Sequence, residues 1–291
     1  MLQHGWSTRH RILKSYLSHG GYSVSPEWSS FSKYVIGFLS FPLVAKGTTV
    51  LFEQISKRWD AATTAKRIVA TQLDPILKAA DELHGKLRSL AEEDFREFRE
   101  LARGAAVEGT DLINLCSTVF LFAQFWGRLE ILRRVSLHAE LTRDKRGKLL
   151  IDFLRCLESR RVRLVDRAWQ RAIGELTFTD AKPFSDLISF KEFVEMYENN
   201  ARVREWVTPL EKLLRETRYR DSRQQMLYYG IIVQAMIDTL DPKHSTTRER
   251  PSYPNKLSRR AKRTLIGRDF GVYLKDVKNT EKYTGIKRSK T

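Results

Sequence analysis

From Ser56 to Leu240 the apolar positions recur every three or four residues, the spacing that gathers them on one face of an α-helix. The clearest run is ILKAADELHGKLRSLAEEDFREFREL, where Ile76, Leu77, Ala80, Leu83, Leu87, Leu90 and Phe95 form a single stripe. Asp74-Pro75, just before it, predicts a fresh helix start, because proline suits a first helical turn. Residues 111 to 141, DLINLCSTVFLFAQFWGRLEILRRVSLHAEL, make the most apolar helix, with 16 uncharged residues from Leu112 to Gly127. The run is short for a span, contains Asn114 and Gln124, and leads straight into Arg128 and Glu130. It therefore predicts a central helix buried on all sides. After the turn TRDKRG, the stretch KLLIDFLRCLESRRVRLVDRAWQRAIGELTF predicts one or two helices. ISFKEFVEMYENN and REWVTPLEKLLRETRY predict shorter ones, and RQQMLYYGIIVQAMIDTLDP a final apolar helix ending at Asp241-Pro242. No strand-like alternation persists and no repeat of solenoid length occurs. The expected fold is all-α, a bundle of about six to eight helices joined by short loops.

Ahead of these helices, KYVIGFLSFPLVAKGTTVLFEQISKRW (residues 33 to 59) reads two ways. Tyr34 to Phe52 has the 19 residues a membrane span needs, and Trp28 and Trp59 bracket it as interfacial aromatics would. Lys46 opposes insertion by about 2.5–3.5 kcal/mol if held at the bilayer centre, but it is off-centre and can reach toward headgroups. A single transmembrane helix is the leading reading; a buried or interfacial helix is the alternative. Lys57, Arg58, Lys66 and Arg67 follow the stretch, while Lys33 stands just before it. By the positive-inside rule the remainder is cytoplasmic, giving an inner-membrane, single-pass protein. The alternative is a wholly cytoplasmic chain.

Charge adds a further division. The net charge is +17, yet residues 243 to 291 hold 15 Lys/Arg against 4 Asp/Glu, leaving 37 against 31 for the other 242 residues. The organisation expected is a polar segment at 1–32, the candidate anchor helix at 33–56, a helical domain at 57–242, and a basic, flexible tail at 243–291. In the tail, Lys256, Arg259, Arg260, Lys262 and Arg263 cluster near Tyr253, Phe270, Tyr273 and Tyr283. Such a cluster suits an anionic membrane surface or nucleic acid, or serves only to solubilise.

LDPILKAADELHGKLRSLAEEDF, FLFAQFWGRLEILRR and CLESRRVRLVDRAWQRAIGE resemble segments of a set of uncharacterised bacterial proteins. Those proteins pair an N-terminal apolar helix with an all-helical cytosolic domain. The resemblance spans roughly residues 55 to 240 and implies the same fold and placement. It carries no motif from which a catalytic or ligand-binding role transfers.

The chemistry in the chain is sparse. Walker A, GxSxG, HExxH and GxGxxG patterns are absent, and Asp269-Phe270-Gly271 echoes a kinase tripeptide without its companion motifs. Cys116 and Cys156 sit in apolar helical patterns as reduced core thiols, and His84 and His138 read as structural. No metal or cofactor is expected. Gln124, Arg128, Glu130, Arg171 and Glu175, with Arg133, Arg134 and Trp169 nearby, form the candidate polar set. It is either a buried network between two helices or a pocket for a small anion. Arg155, Arg160, Arg161, Arg163 and Arg167 crowd a second segment, as a solvated surface or a docking surface for acidic partners. The leading expectation is a membrane-associated, non-catalytic helical interaction or sensor module with lipid or protein partners. A soluble helical nucleic-acid-binding protein using the tail is the alternative, and an enzyme lacking short motifs is the third class.

Overall fold

A computed structural model describes residues 42–99, 108–137, 139–179 and 186–286, with side chains from residue 61 onward. The chain divides into two compact units, Met1–Trp59 and Asp60–Thr291. In the first, the described residues form the opening part of a helix; the candidate anchor, Tyr34 to Phe52, lies outside the residues whose side chains are described, and so does His138.

The second unit is all-α. Among the described residues there is no strand, and Phe178 and Leu187 make an isolated antiparallel bridge. The helices are α1 (Pro42–Glu92), α2 (Arg96–Arg99), α3 (Gly109–Val135), α4 (Lys145–Leu157), α5 (Arg167–Glu175), α6 (Phe190–Asn199), α7 (Ala201–Arg215), α8 (Arg220–Leu240), α9 (Arg259–Thr264) and α10 (Thr280–Thr284). A π-helical run, Leu265–Tyr273, follows α9 directly.

Local signals set many of these boundaries. Asp144 caps α4 by accepting from the Gly147 N–H at 2.8 Å, and Asp166 caps α5 through Ala168 at 3.1 Å. Ser189 and Glu192 form a reciprocal capping box at the start of α6. Asn200 separates α6 from α7 and accepts from the Arg202 N–H.

The stripe expected along α1 is buried as a unit, from Ile76 to Leu90 at 3 % exposure or less. Pro75 does not restart the chain, however. It lies inside α1, because Val69 and Leu73 before it and Ile76 and Leu77 after it face the same core. Continuous burial there outweighs the roughly 3 kcal/mol that an interior proline costs a helix. The stripe ends in a sharp reversal, where Asp94 and Phe95 take left-handed backbone angles of φ 52° and 58° and Phe95 is buried.

Two apolar helices form the centre. α3 has 13 buried residues and packs against α5, α6 and α7. Among the described residues it is the helix long and apolar enough to cross a membrane, and more than half of its most apolar stretch is buried inside this unit. α8 also has 13 buried residues and packs against α4. Gly230 on α8 faces Leu87 of α1 and the Tyr253 hydroxyl.

The expectation of a flexible tail fails for residues 243–286. Tyr253, Leu257, Leu265, Phe270, Leu274, Val277 and Tyr283 are all buried in the common core. Polar contacts fasten the same segment. Arg250 grips Asp81 of α1 through two hydrogen bonds, at 2.9 and 3.1 Å. Gln224 of α8 donates to the Lys256 carbonyl at 2.9 Å and accepts from the Ser258 N–H at 2.7 Å. The Tyr283 hydroxyl and Lys282 both donate to Asp238, at 2.6 and 2.7 Å. Counting charges obscured this, because the buried positions of 243–286 are spaced irregularly among its cations.

Candidate functional site

Two polar constellations stand out, and sequence spacing pointed directly to the first. α3 and α5 cross at Gly127 and Gly174: a methyl group on Gly174 would stand 2.7 Å from the Gly127 nitrogen. This close approach brings the polar residues of both helices together. Glu130 is 8 % exposed and accepts from Arg133 at 2.7 Å and Arg134 at 3.4 Å, with Arg171 of α5 at 3.9 Å. Arg134 continues to Glu175, and Arg133 to Glu158. Burial pulls the Arg133 pKa below its ordinary value, opposed by the Glu130 hydrogen bond and charge. The structure thus unites Glu130, Arg171 and Glu175 and leaves two of the set elsewhere. Arg128 is half-buried, its pKa lowered by burial and supported by the charge of Asp186. The Gln124 side-chain oxygen is buried without a hydrogen bond among the described residues. Space beside the network, between Trp126, Arg133, Gln170 and Tyr229, is about 10 Å³. That is room for a single water molecule at most. Chemically this constellation locks two helices together.

The second constellation was visible in the sequence only in part, as the arginine-rich segment from Arg155 to Arg167. α4 ends at Leu157, and the turn after it carries Arg160 and Arg161. The π-helical run, from near the C-terminal end of the described residues, packs against α4. Between them opens a cavity of about 800 Å³ lined by six cations: Lys148, Arg155, Arg160, Arg161, Arg268 and Lys275. Three carboxylates share the wall, Asp152, Asp269 and Asp276. Asp152 lies 3.5 Å from Arg155. Asp269 is 3 % exposed and accepts from the Tyr228 hydroxyl. Burial raises the Asp269 pKa, against the Tyr228 hydrogen bond and the charges of Arg268 and Arg161. Among the described residues, Lys148, Arg160 and Lys275 have no carboxylate within ion-pairing distance. Cys156 also borders the cavity, but burial, reinforced by Asp269, pushes its thiol up to about 12, so it is no nucleophile at neutral pH. Tyr273 stands at the rim, 51 % exposed, with the Arg268 guanidinium 5.7 Å from its ring centre.

Arg161 also lines a neighbouring cavity of about 430 Å³ together with Arg220, Arg260, Gln224 and Tyr228. Arg260 is therefore the member of the predicted tail cluster that joins this basic surface. Arg259 and Arg263 are exposed on α9, Lys262 is half-buried there, and Lys256 lends its carbonyl to Gln224. Sequence reasoning missed Lys148, although it stands seven residues before Arg155 on the same helix, two turns along one face. It also missed Arg268 and Lys275, because nothing in the linear order signals a meeting across more than 100 residues. No group of His, Cys, Asp and Glu able to hold a metal occurs among the described residues.

Compared with known protein families, with curated proteins and with solved structures, the chain matches none. The functional reading therefore rests on these residues and their geometry.

Proposed function

We propose that the protein is a non-catalytic helical interaction module that works at an anionic membrane surface. The observation that carries this reading is the basic wall assembled from Arg155–Arg161 and Arg268–Lys275, where cations outnumber carboxylates two to one. Cations close to a bilayer are drawn to anionic headgroups by about 1 kcal/mol each. In this reading the apolar stretch Tyr34 to Phe52 supplies the hydrophobic hold. Three features support a role without catalysis. The Cys116 and Cys156 thiols are both buried and pushed up to about 12, chiefly by burial. His84 is sealed in the core. Glu130, the most buried carboxylate of the α3–α5 network, is held by arginines.

Tyr273 favours a second reading, nucleic-acid binding, since an exposed aromatic beside cations can stack on a base while the cations meet phosphates. One set of measurements separates the two. The full chain should resist carbonate extraction and require detergent, whereas a chain lacking residues 1–56 should be released. The purified shorter chain should sediment with phosphatidylserine vesicles, not with phosphatidylcholine vesicles, and lose that binding in high salt. Solubility of both chains in carbonate, with no vesicle binding, would overturn the membrane reading. Salt-sensitive binding to duplex or single-stranded DNA in preference to vesicles would put the second reading in its place.

A further inference from the structure

We propose that the cavity between the end of α4 and the π-helical run is a binding site for a small ligand carrying two or more phosphate groups, either a free polyphosphorylated compound or the headgroup of a phosphorylated lipid. This deepens the reading above, from a surface that attracts anions in general to a site that selects one kind.

Four observations converge on it. The volume, about 800 Å³, suits a ligand of sugar-phosphate size. The wall presents four guanidinium and two ammonium groups, and guanidinium forks match phosphate oxygens in pairs. The three carboxylates do not cancel that charge: Asp269 is buried and occupied by the Tyr228 hydroxyl, Asp152 sits beside Arg155, and Asp276 stands exposed. Cations gathered around one cavity repel each other, and an anion with more than one charge removes that repulsion by meeting several at once. Lastly, the wall containing Arg268 is π-helical across nine residues, a conformation that is rare and recurs at functional sites. The two halves of the wall are more than 100 residues apart in the sequence, so the cavity exists only in the folded protein.

The test is calorimetric titration of the full chain, kept in mild detergent, with inositol 1,4,5-trisphosphate, with pyrophosphate and with uncharged inositol. One-to-one saturable binding of the phosphorylated probes is expected, with none of inositol. Arg161→Gln and Arg268→Gln should each weaken binding about ten-fold or more, the loss expected for one charge-assisted contact. Arg161→Lys should recover part of it. Arg202→Gln, an exposed position on α7 away from the cavity, should leave binding unchanged. Thermal melts of every variant identify any that fails to fold, and the Lys variant then carries the comparison. Vesicles containing phosphatidylinositol bisphosphate distinguish the sources. If they displace the soluble probe, the ligand is a lipid headgroup; if only soluble phosphates bind, it is a free compound, and either result supports the site. No saturable binding, or equal weakening by Arg202→Gln, overturns it. Because the probe is soluble, that failure is distinct from failure of the membrane reading: vesicle binding without probe binding rejects the cavity alone, and probe binding by a carbonate-soluble chain rejects the anchor alone.

Discussion

At the scale of single residues, burial decides what the ionisable groups can do. His84 is 1 % exposed on the face of α1 that meets Tyr253, whose ring stacks on it with centres 6.0 Å apart. Burial, and then the charge of Arg250, lower its pKa from 6.5 to about 4, against the Gly230 backbone, Asp238 and Asp81, which raise it. The folded state therefore holds the neutral ring, while the unfolded chain takes up a proton near its ordinary pKa. The stability His84 confers is complete above about pH 6.5 and is lost as the pH falls to about 4. It amounts to roughly 3 kcal/mol. Denaturant midpoints measured between pH 7 and pH 4.5 should fall for the native chain, and a His84→Phe chain should lose most of that slope. Parallel slopes for the two chains would refute this account. Asp241 acts at lower pH. Burial would raise its pKa, but hydrogen bonds from the Thr246 and Ser245 N–H groups, and from the Ser245 and Thr247 hydroxyls, outweigh it and bring the value to about 2. Its contribution is present above the ordinary value of 3.8 and disappears only as the pH falls through about 2.

At the scale of helices, the α3–α5 crossing governs the central network. Gly127 and Gly174 let the two backbones approach, and Arg171 and Glu175 then reach the arginines and Glu130 of α3. The heptad-like spacing of Glu130, Arg133 and Arg134 was legible in the sequence, because residues three and four apart share a helix face. A network with Arg171 and Glu175 was one of two readings of that set; the close crossing that allows it was not legible, because a glycine marks a close approach only once its partner is known. Gly174→Ala would place a methyl group 2.7 Å from backbone atoms of Trp126 and Gly127, which cannot move aside as a flexible side chain would. A loss of about 3 kcal/mol in urea denaturation is expected, the upper end for an overpacked core. Gly267→Ala, with nothing within 4 Å of the added carbon, is the matched control. Equal midpoints for the two variants would contradict the close-crossing argument. Pro75 teaches the same lesson from the other side: its local rule was sound, and a continuous buried face overrode it.

Across the whole molecule, the basic C-terminal segment is a structural part of the domain. It contributes seven buried hydrophobic side chains between Tyr253 and Tyr283. At about 1.5–3 kcal/mol each, their removal would rival the entire 5–15 kcal/mol stability of an ordinary domain. A chain ending at residue 242 should therefore lose its cooperative thermal melt, seen by circular dichroism. A sharp melt close to that of the full chain would show the segment to be dispensable. The same reasoning makes deletion a poor test of what the segment binds, and charge-removing substitutions in the cavity wall the better one.

The sequence by itself determined the helical class, the buried stripe of α1 and the central place of the apolar helix Gly109–Val135, because each follows from the spacing and run of apolar residues along one helix. Only the tertiary structure decided that the cationic end of the chain is part of the core, that Arg128 parts from Glu130 while Arg171 joins it, and that Arg160 and Arg161 share a cavity with Arg268 and Lys275. Those outcomes depend on which buried faces meet across distances in sequence from about 40 residues, for Glu130 and Arg171, to more than 100. The free energy that selects them is spread over the whole core, and no short stretch of sequence records it.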